Sequence, residues 1–244
     1  MNILLDTHTH TIASGHAYNS MLEMVDAASK RGLKILGITE HAPKMPGTCH
    51  EFYFQNLKAV NREVIMEKYG IELILGAELN IIDYKGTVDL PVSTIKKLDV
   101  TIASMHLPCL KPGGRAENTA GVIGAIENPY IDIIGHPDDG RFPLEYEPIV
   151  KAAKENGKLL EVNNSSLNPN GFRLNANENY KEMLSYCIKY EQPIVIDSDA
   201  HFMDAIGNFP FVESLLKELK FPENLIVNQS VEQFKKYIQK YKEK

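Results

Sequence analysis

Asn2-Ile3-Leu4-Leu5-Asp6-Thr7-His8-Thr9-His10 opens the chain with a short apolar run that ends in two histidines spaced by one residue. An apolar run of this length bounded by polar residues reads as a buried strand. The strand period of two aims both imidazoles of His8-Thr9-His10 the same way. The same shape recurs along the chain. Apolar, strand-like runs end in Thr39-Glu40-His41, in Ser104-Met105-His106, in Gly135-His136-Pro137 and in Asp197-Ser198-Asp199-Ala200-His201. His16 follows six residues after His10, so seven of the eight histidines fall just past such a run, and only His50 does not.

Around these endings the chain alternates strand and helix. Strands are expected at 2–6, 34–39, 71–78, 98–104, 130–135, 158–163 and 193–198. Helices are expected from the capping box Ser20-Met21-Leu22-Glu23 to Gly32, and over 51–69, 116–127, 145–156, 178–190 and 211–219. Gly32, Gly70 and Gly157 sit where a left-handed residue closes a helix. Alternation this regular implies parallel strands joined by right-handed crossovers. Seven βα units are counted, with residues 225–228 as a candidate short eighth strand and 231–241 as a closing helix. Residues 79–92 read as a hairpin-like excursion. No linker or internal repeat divides residues 1–244, so one α/β barrel domain is expected.

Bulk properties narrow the function classes. The chain is 43% hydrophobic and 24% charged, with net charge −6 and a pI near 5.8. That balance argues against nucleic acid as the main partner, because phosphate backbones are held by clustered Lys and Arg. The basic run at 235–244 reads as the solvated face of a last helix. Cys49, Cys109 and Cys187 are odd in number and widely spaced, which fits a reducing cytoplasm rather than a disulfide framework. No leader peptide and no membrane span are expected. Homo-oligomerisation is left open by the sequence.

In a parallel α/β barrel the strand C-termini gather on one face. That face would receive His8, His10 and His16 from the first strand and its loop, His41 from the second, Glu78 from the third, His106 from the fourth, His136 from the fifth, and Asp199 and His201 from the seventh. Imidazoles desolvated together are costly unless a cation satisfies them. Nine candidate ligands exceed one ion, since zinc takes four and a catalytic zinc keeps a position open. Nine groups with a bridging carboxylate fit three divalent ions. An imidazole and carboxylate set suits zinc, manganese or iron and does not choose among them; zinc is taken as the first expectation, with manganese and iron as alternatives. His50 is read as a loop residue. Asp6, Glu40 and Asp197 are expected to hydrogen-bond rather than ligate.

His8-Thr9-His10, Thr39-Glu40-His41, Glu78, His106, Gly135-His136-Pro137 and Asp199-Ala200-His201 resemble the motifs of the PHP (polymerase and histidinol phosphatase) superfamily. Glu161-Val162-Asn163-Asn164-Ser165-Ser166 and the compact length resemble its YcdX-like phosphatases. The resemblance implies a distorted seven-stranded (β/α)7 TIM-like barrel. It implies one metal held by His8, His10, Glu78 and Asp199, a second by Glu78, His106 and His136 with Glu78 bridging, and a third by His16, His41 and His201. It departs after His136, where Asp138-Asp139-Gly140-Arg141 replaces the usual continuation, and this places the departure in the substrate-side loop.

The expected chemistry is hydrolysis of a small phosphorylated substrate by metal-bound water, with no protein nucleophile. Arg173 and Arg141 are the candidate phosphate-binding cations. Residues 42–50, 108–115 and 137–143 are the loops expected to set specificity. Two other hydrolase classes compete. Amidohydrolase-like C–N hydrolases also begin with HxH, but usually carry a Lys at a central strand end that this chain lacks. A PHP-type nuclease or DNA-repair accessory would call for a basic groove. A non-catalytic metal-binding domain would not need all nine ligands.

Overall fold

The computed structural model describes residues 1–238. Seven strands form one parallel sheet in sequence order: β1 (Leu5–Asp6), β2 (Ile35–His41), β3 (Glu72–Asn80), β4 (Thr101–Ser104), β5 (Ile133–Ile134), β6 (Leu159–Asn163) and β7 (Ile194–Asp197). Helices α1 (Met21–Lys30), α2 (Glu51–Asn56), α3 (Arg62–Tyr69), α4 (Val92–Ile95), α5 (Arg115–Glu127), α6 (Tyr146–Asn156), α7 (Ala176–Tyr190), α8 (Pro210–Glu218) and α9 (Val231–Lys235) follow in order. Ser20 and Glu23 form the expected capping box at α1, and Gly32, Gly70 and Gly157 adopt positive φ.

Two apolar clusters hold the fold. The larger lies between strands and helices. The smaller fills the barrel interior and draws one side chain from every strand: Leu5, Ile35, Ile74, Ile102, Ile133, Leu159 and Val195. Branched side chains in such a layer make a packed core rather than a pore. Val227, Phe234 and Ile238 join this layer and plug one end of the barrel. Polar side chains further along the strands then have only the opposite mouth to face.

β1 and β7 are the two ends of the sheet, and side chains stitch the seam between them. Asp197 accepts from the Thr7 amide and hydroxyl, while Asp6 accepts from the Ser198 amide at 3.1 Å. The Asn228 amide donates to Leu5 O at 3.1 Å and Ile196 O at 2.6 Å, and its Oδ1 accepts from Ile196 N at 2.7 Å. The expected eighth strand is therefore not a strand. Residues 223–229 form two short 3-10 turns with a single parallel bridge, Ile194 to Ile226. The Asn228 side chain makes the hydrogen bonds that a backbone ladder would have made.

Two further expectations change. The helix expected over 51–69 is broken into α2 and α3. The Asn61 side chain accepts from Val64 N and starts a new helix, an example of a side chain outcompeting the i→i−4 ladder. The closing helix is described only as Val231–Lys235, and residues 239–241 of the expected span lie outside the described residues. The excursion at 79–92 carries the antiparallel bridge Ile81 to Val88, as a hairpin would. Among the described residues, no helix is long and apolar enough to cross a membrane.

Candidate metal centre

Strand parity decides what reaches the open mouth. From the interior layer, two residues on from Ile74 lies Gly76, and two more reach Glu78. From Leu159 the same count reaches Glu161 and Asn163. Beyond the sheet, tight turns finish the placement. His136 and Asp199 have positive φ, 26° and 55°, a conformation that costs a non-glycine residue about 1–3 kcal/mol and that clusters at functional sites. Gly135, just before the first of these residues, lets the end of β5 pack closely on β4, because a Cβ there would lie 2.2 Å from Ser104 Oγ.

Glu78 is the hub and is fully buried. Its Oε1 lies 3.1 Å from His106 Nε2 and 2.8 Å from His136 Nε2. Its Oε2 lies 2.5 Å from His41 Nδ1, 3.4 Å from His8 Nε2 and 3.7 Å from His10 Nε2. Asp199 Oδ1 closes the second side, 3.6 Å from His8 Nε2, 3.3 Å from His10 Nε2 and 3.5 Å from His201 Nδ1. His16 Nε2 lies 3.1 Å from His41 Nε2, and the His16 and His201 rings stack at 4.9 Å. All nine expected residues thus converge. His50 does not: its Nδ1 accepts from Phe52 N and caps α2.

The donor set fits divalent cations. His8 Nε2, His10 Nε2, His41 Nδ1 and Glu78 Oε2 are buried without a hydrogen bond of acceptable geometry, the last two despite lying 2.5 Å apart, a costly state that a cation would relieve. Ligands about 2.0–2.1 Å from a tetrahedral zinc stand roughly 3.3 Å apart. His8, His10, Glu78 and Asp199 are separated by 3.3–3.7 Å across their four imidazole–carboxylate pairs. Metal-compatible groups are His8–His10–Glu78, His8–His136–Asp199, His41–Glu78–His106 and His10–His41–His201. The last shares His41 and His201 with the expected third set and adds His10, while His16 stands at the more exposed edge of the same cluster, 3.1 Å from His41 Nε2.

Electrostatics point the same way. Burial and the neighbouring imidazoles of His41 and His201 hold His10 well below the ordinary histidine range, so it is a neutral donor. Burial opposes ionisation of Glu78, but His106, His41 and His8 outweigh it and keep the carboxylate charged. Burial disfavours a cation at His8, yet Glu161, Glu78 and Asp199 push its pKa well above the usual value. Of these carboxylates, Glu78 and Asp199 draw positive charge to the point where Nε2 ends.

A supporting layer orients the donors. His8 Nδ1 meets Glu161 Oε1 at 2.6 Å, and His136 N donates to Glu161 Oε2 at 2.5 Å. His106 Nδ1 meets Asn80 Oδ1 at 2.7 Å. His10 Nδ1 meets Ser14 Oγ at 3.2 Å, and that hydroxyl donates to Glu40 Oε2. Asp6, Glu40 and Asp197 therefore hydrogen-bond as expected. Glu161 was missed as a functional residue, though its parity with Leu159 and Asn163 was available in the sequence.

Arg173 is buried against the centre. Its guanidinium donates to Asp199 Oδ2 at 3.0 Å and to Ser166 Oγ. Ser166 Oγ donates to Asp138 Oδ1 at 3.1 Å, and burial pushes the Asp138 carboxyl up to about 7. Arg141 lies further out, paired with Asp139 through Nε at 2.9 Å to both oxygens. Both arginines line a cleft of about 880 Å³ that opens onto His16, His41, His106, His136, Asp199 and His201. The expected specificity loops contribute Met45, Pro108, Asp139 and Arg141. More of the wall comes from residues 164–173 and 204–211, after β6 and β7. Asn164 ties these two segments together, its Oδ1 accepting from Phe211 N and Val212 N at the start of α8.

The chain is similar to known proteins over nearly its whole length. It is 46% identical over 238 residues to a probable phosphatase of Clostridium botulinum (strain Hall), covering 98% of this chain and 95% of that protein. It is 43% identical to a probable phosphatase of Clostridium novyi (strain NT), with the same coverage. Among solved structures, its fold resembles the histidinol phosphate phosphatase of Lactococcus lactis, complexed with zinc, L-histidinol and phosphate. The TM-score is 0.59 at 17% identity, covering 89% of this chain and 94% of that one. A family model described as the PHP domain matches residues 6–165, and with the site built from the motifs of that segment and the strand after it, the chain belongs to the PHP domain family.

Proposed function

We propose that the protein is a metal-dependent phosphomonoesterase that works with three divalent ions, zinc foremost and manganese or iron as alternatives. The observation that carries this reading is the two-sided Glu78 carboxylate. One oxygen faces His106 and His136, and the other faces His8, His10 and His41. His8, His10, Glu78 and Asp199 would hold one ion. Glu78, His106 and His136 would hold the second. His41 and His201, with His10 or His16, would hold the third. When bound, such ions supply Lewis acidity toward phosphoryl oxygens and a water of lowered pKa.

The remaining work falls to the chain itself. Glu161 fixes the His8 ring, so that Nε2 rather than Nδ1 faces the centre. Arg173 presents a fixed cation beside Asp199 at the inner end of the cleft, suited to binding a phosphate as a planar fork. Ser166, whose proton is committed to Asp138, offers Arg173 a lone pair and holds the fork in place. The names of the curated relatives and the phosphate in the Lactococcus structure support the same chemistry.

A panel of phosphomonoesters assayed with zinc, manganese and iron supplied separately tests the proposal. Turnover of at least one ester, abolished by a chelator and restored by a divalent ion, is the expected result. Turnover that survives complete chelation would overturn the metal-dependent reading.

A further inference from the structure

The cleft is far larger than a phosphate requires, and one aromatic side chain stands exposed in its wall. Phe172 is 69% exposed and lines the cleft. Small-molecule sites are concave and lined by aromatic side chains with a few polar groups among them, and that is the setting of this ring. Its position is also fixed. The Arg141 Cζ lies 5.0 Å from the ring centroid and the Arg173 Cζ 5.7 Å away. Each guanidinium is itself immobilised, Arg141 on Asp139 and Arg173 on Asp199 and Ser166. The ring is therefore set by two cations before any ligand arrives, which lowers the ordering cost of binding.

The location tells which part of a ligand would meet it. Arg173 borders Asp199 in the metal centre and Phe172 on the other side. A phosphate held by Arg173 would start its ester substituent beside the Phe172 ring. We infer that Phe172 is a stacking platform for the leaving group, and that the substrates are phosphomonoesters carrying a planar aromatic or heteroaromatic ring next to the phosphate. Asn168 and Asn208 place amides in the same cleft, where they can meet heteroatoms on the edge of such a ring. This inference rests on the phosphomonoesterase reading above.

Benzyl phosphate and cyclohexylmethyl phosphate test it, because both release a primary alkoxide and differ in the planarity of the ring. Stacking of one aromatic ring predicts that the zinc-loaded, full-length protein prefers the benzyl ester by about three- to tenfold in kcat/KM. Calorimetric Kd values for the two hydrolysis-resistant phosphonates should show the same ratio. Phe172→Leu, which keeps apolar bulk but loses the ring, should bring both ratios below about twofold, while Phe172→Tyr should retain them. Equal turnover of the two esters by the wild type, or a preference that survives Phe172→Leu, would overturn the platform and leave the phosphomonoesterase reading intact. A wild-type protein that turns over neither ester nor any other phosphomonoester would overturn that reading and this inference with it.

Discussion

Glu78→Gln is expected to lower kcat/KM for phosphomonoesters by about a thousandfold or more, on the order of 4 kcal/mol of transition-state stabilisation. The size follows from the double role of the carboxylate. Its two oxygens face two separate sets of imidazoles, so one substitution weakens two ion sites at once. Gln has nearly the same volume, but it carries no charge and its Nε2 is a donor with no lone pair for a metal. The amide would point hydrogens at one of the two positions that call for a cation. The variant should keep the far-ultraviolet circular dichroism of the parent, because Glu78 contacts the imidazoles and not the apolar layer below them. Turnover within tenfold of the parent would rule out Glu78 as the bridge.

Asn228→Ala is expected to destabilise the fold by about 4 kcal/mol, because three buried hydrogen bonds are lost and their partners left unsatisfied at roughly 1–3 kcal/mol each. The partners are Leu5 O, Ile196 O and Ile196 N, on either side of the β1–β7 seam. Asn228 is fully buried, so water cannot replace its amide without opening the barrel. For a chain of this size, the loss corresponds to a fall in Tm of about 8–16 °C. Asn228→Asp is a sharper variant, since it sets a carboxylate against two carbonyl oxygens and should destabilise at least as much. A Tm within about 3 °C of the parent for Asn228→Ala would show that the seam is held by other contacts.

These two residues mark what the sequence makes legible. Glu78 could be read in advance, because β-branched and apolar runs at regular spacing identify strands, and the residue ending each run must then share one face. The same logic applies to His41, His106, His136 and the Asp199–His201 pair, and strand parity would have added Glu161. Asn228 could not be read in advance. Its role depends on a seam between the first and last strands, whose side chains meet only after the barrel has curved round. Asn164 is similar, for it accepts from Phe211 N, 47 residues away in the chain, at the start of α8. The break at Asn61 was hidden for a different reason. The apolar spacing of Phe54, Leu57, Val64 and Ile65 suits one continuous helix, and only a local competition between a side chain and the backbone ladder interrupts it. The loops after β6 and β7 that wall the cleft have no periodic pattern at all, so although Arg141 and Arg173 could be named from the sequence, Phe172 and its place between them emerge only from the fold.

Metal content is the most direct measure of the central claim. Protein purified without chelators and analysed by inductively coupled plasma mass spectrometry should contain about three divalent ions per chain, and at least two once weakly held ions are washed out. The first set of ligands should retain its ion longest, since His8, His10, Glu78 and Asp199 are all buried. A reproducible content of one ion or fewer per chain, in protein that still turns over phosphomonoesters at its full rate, would contradict the account.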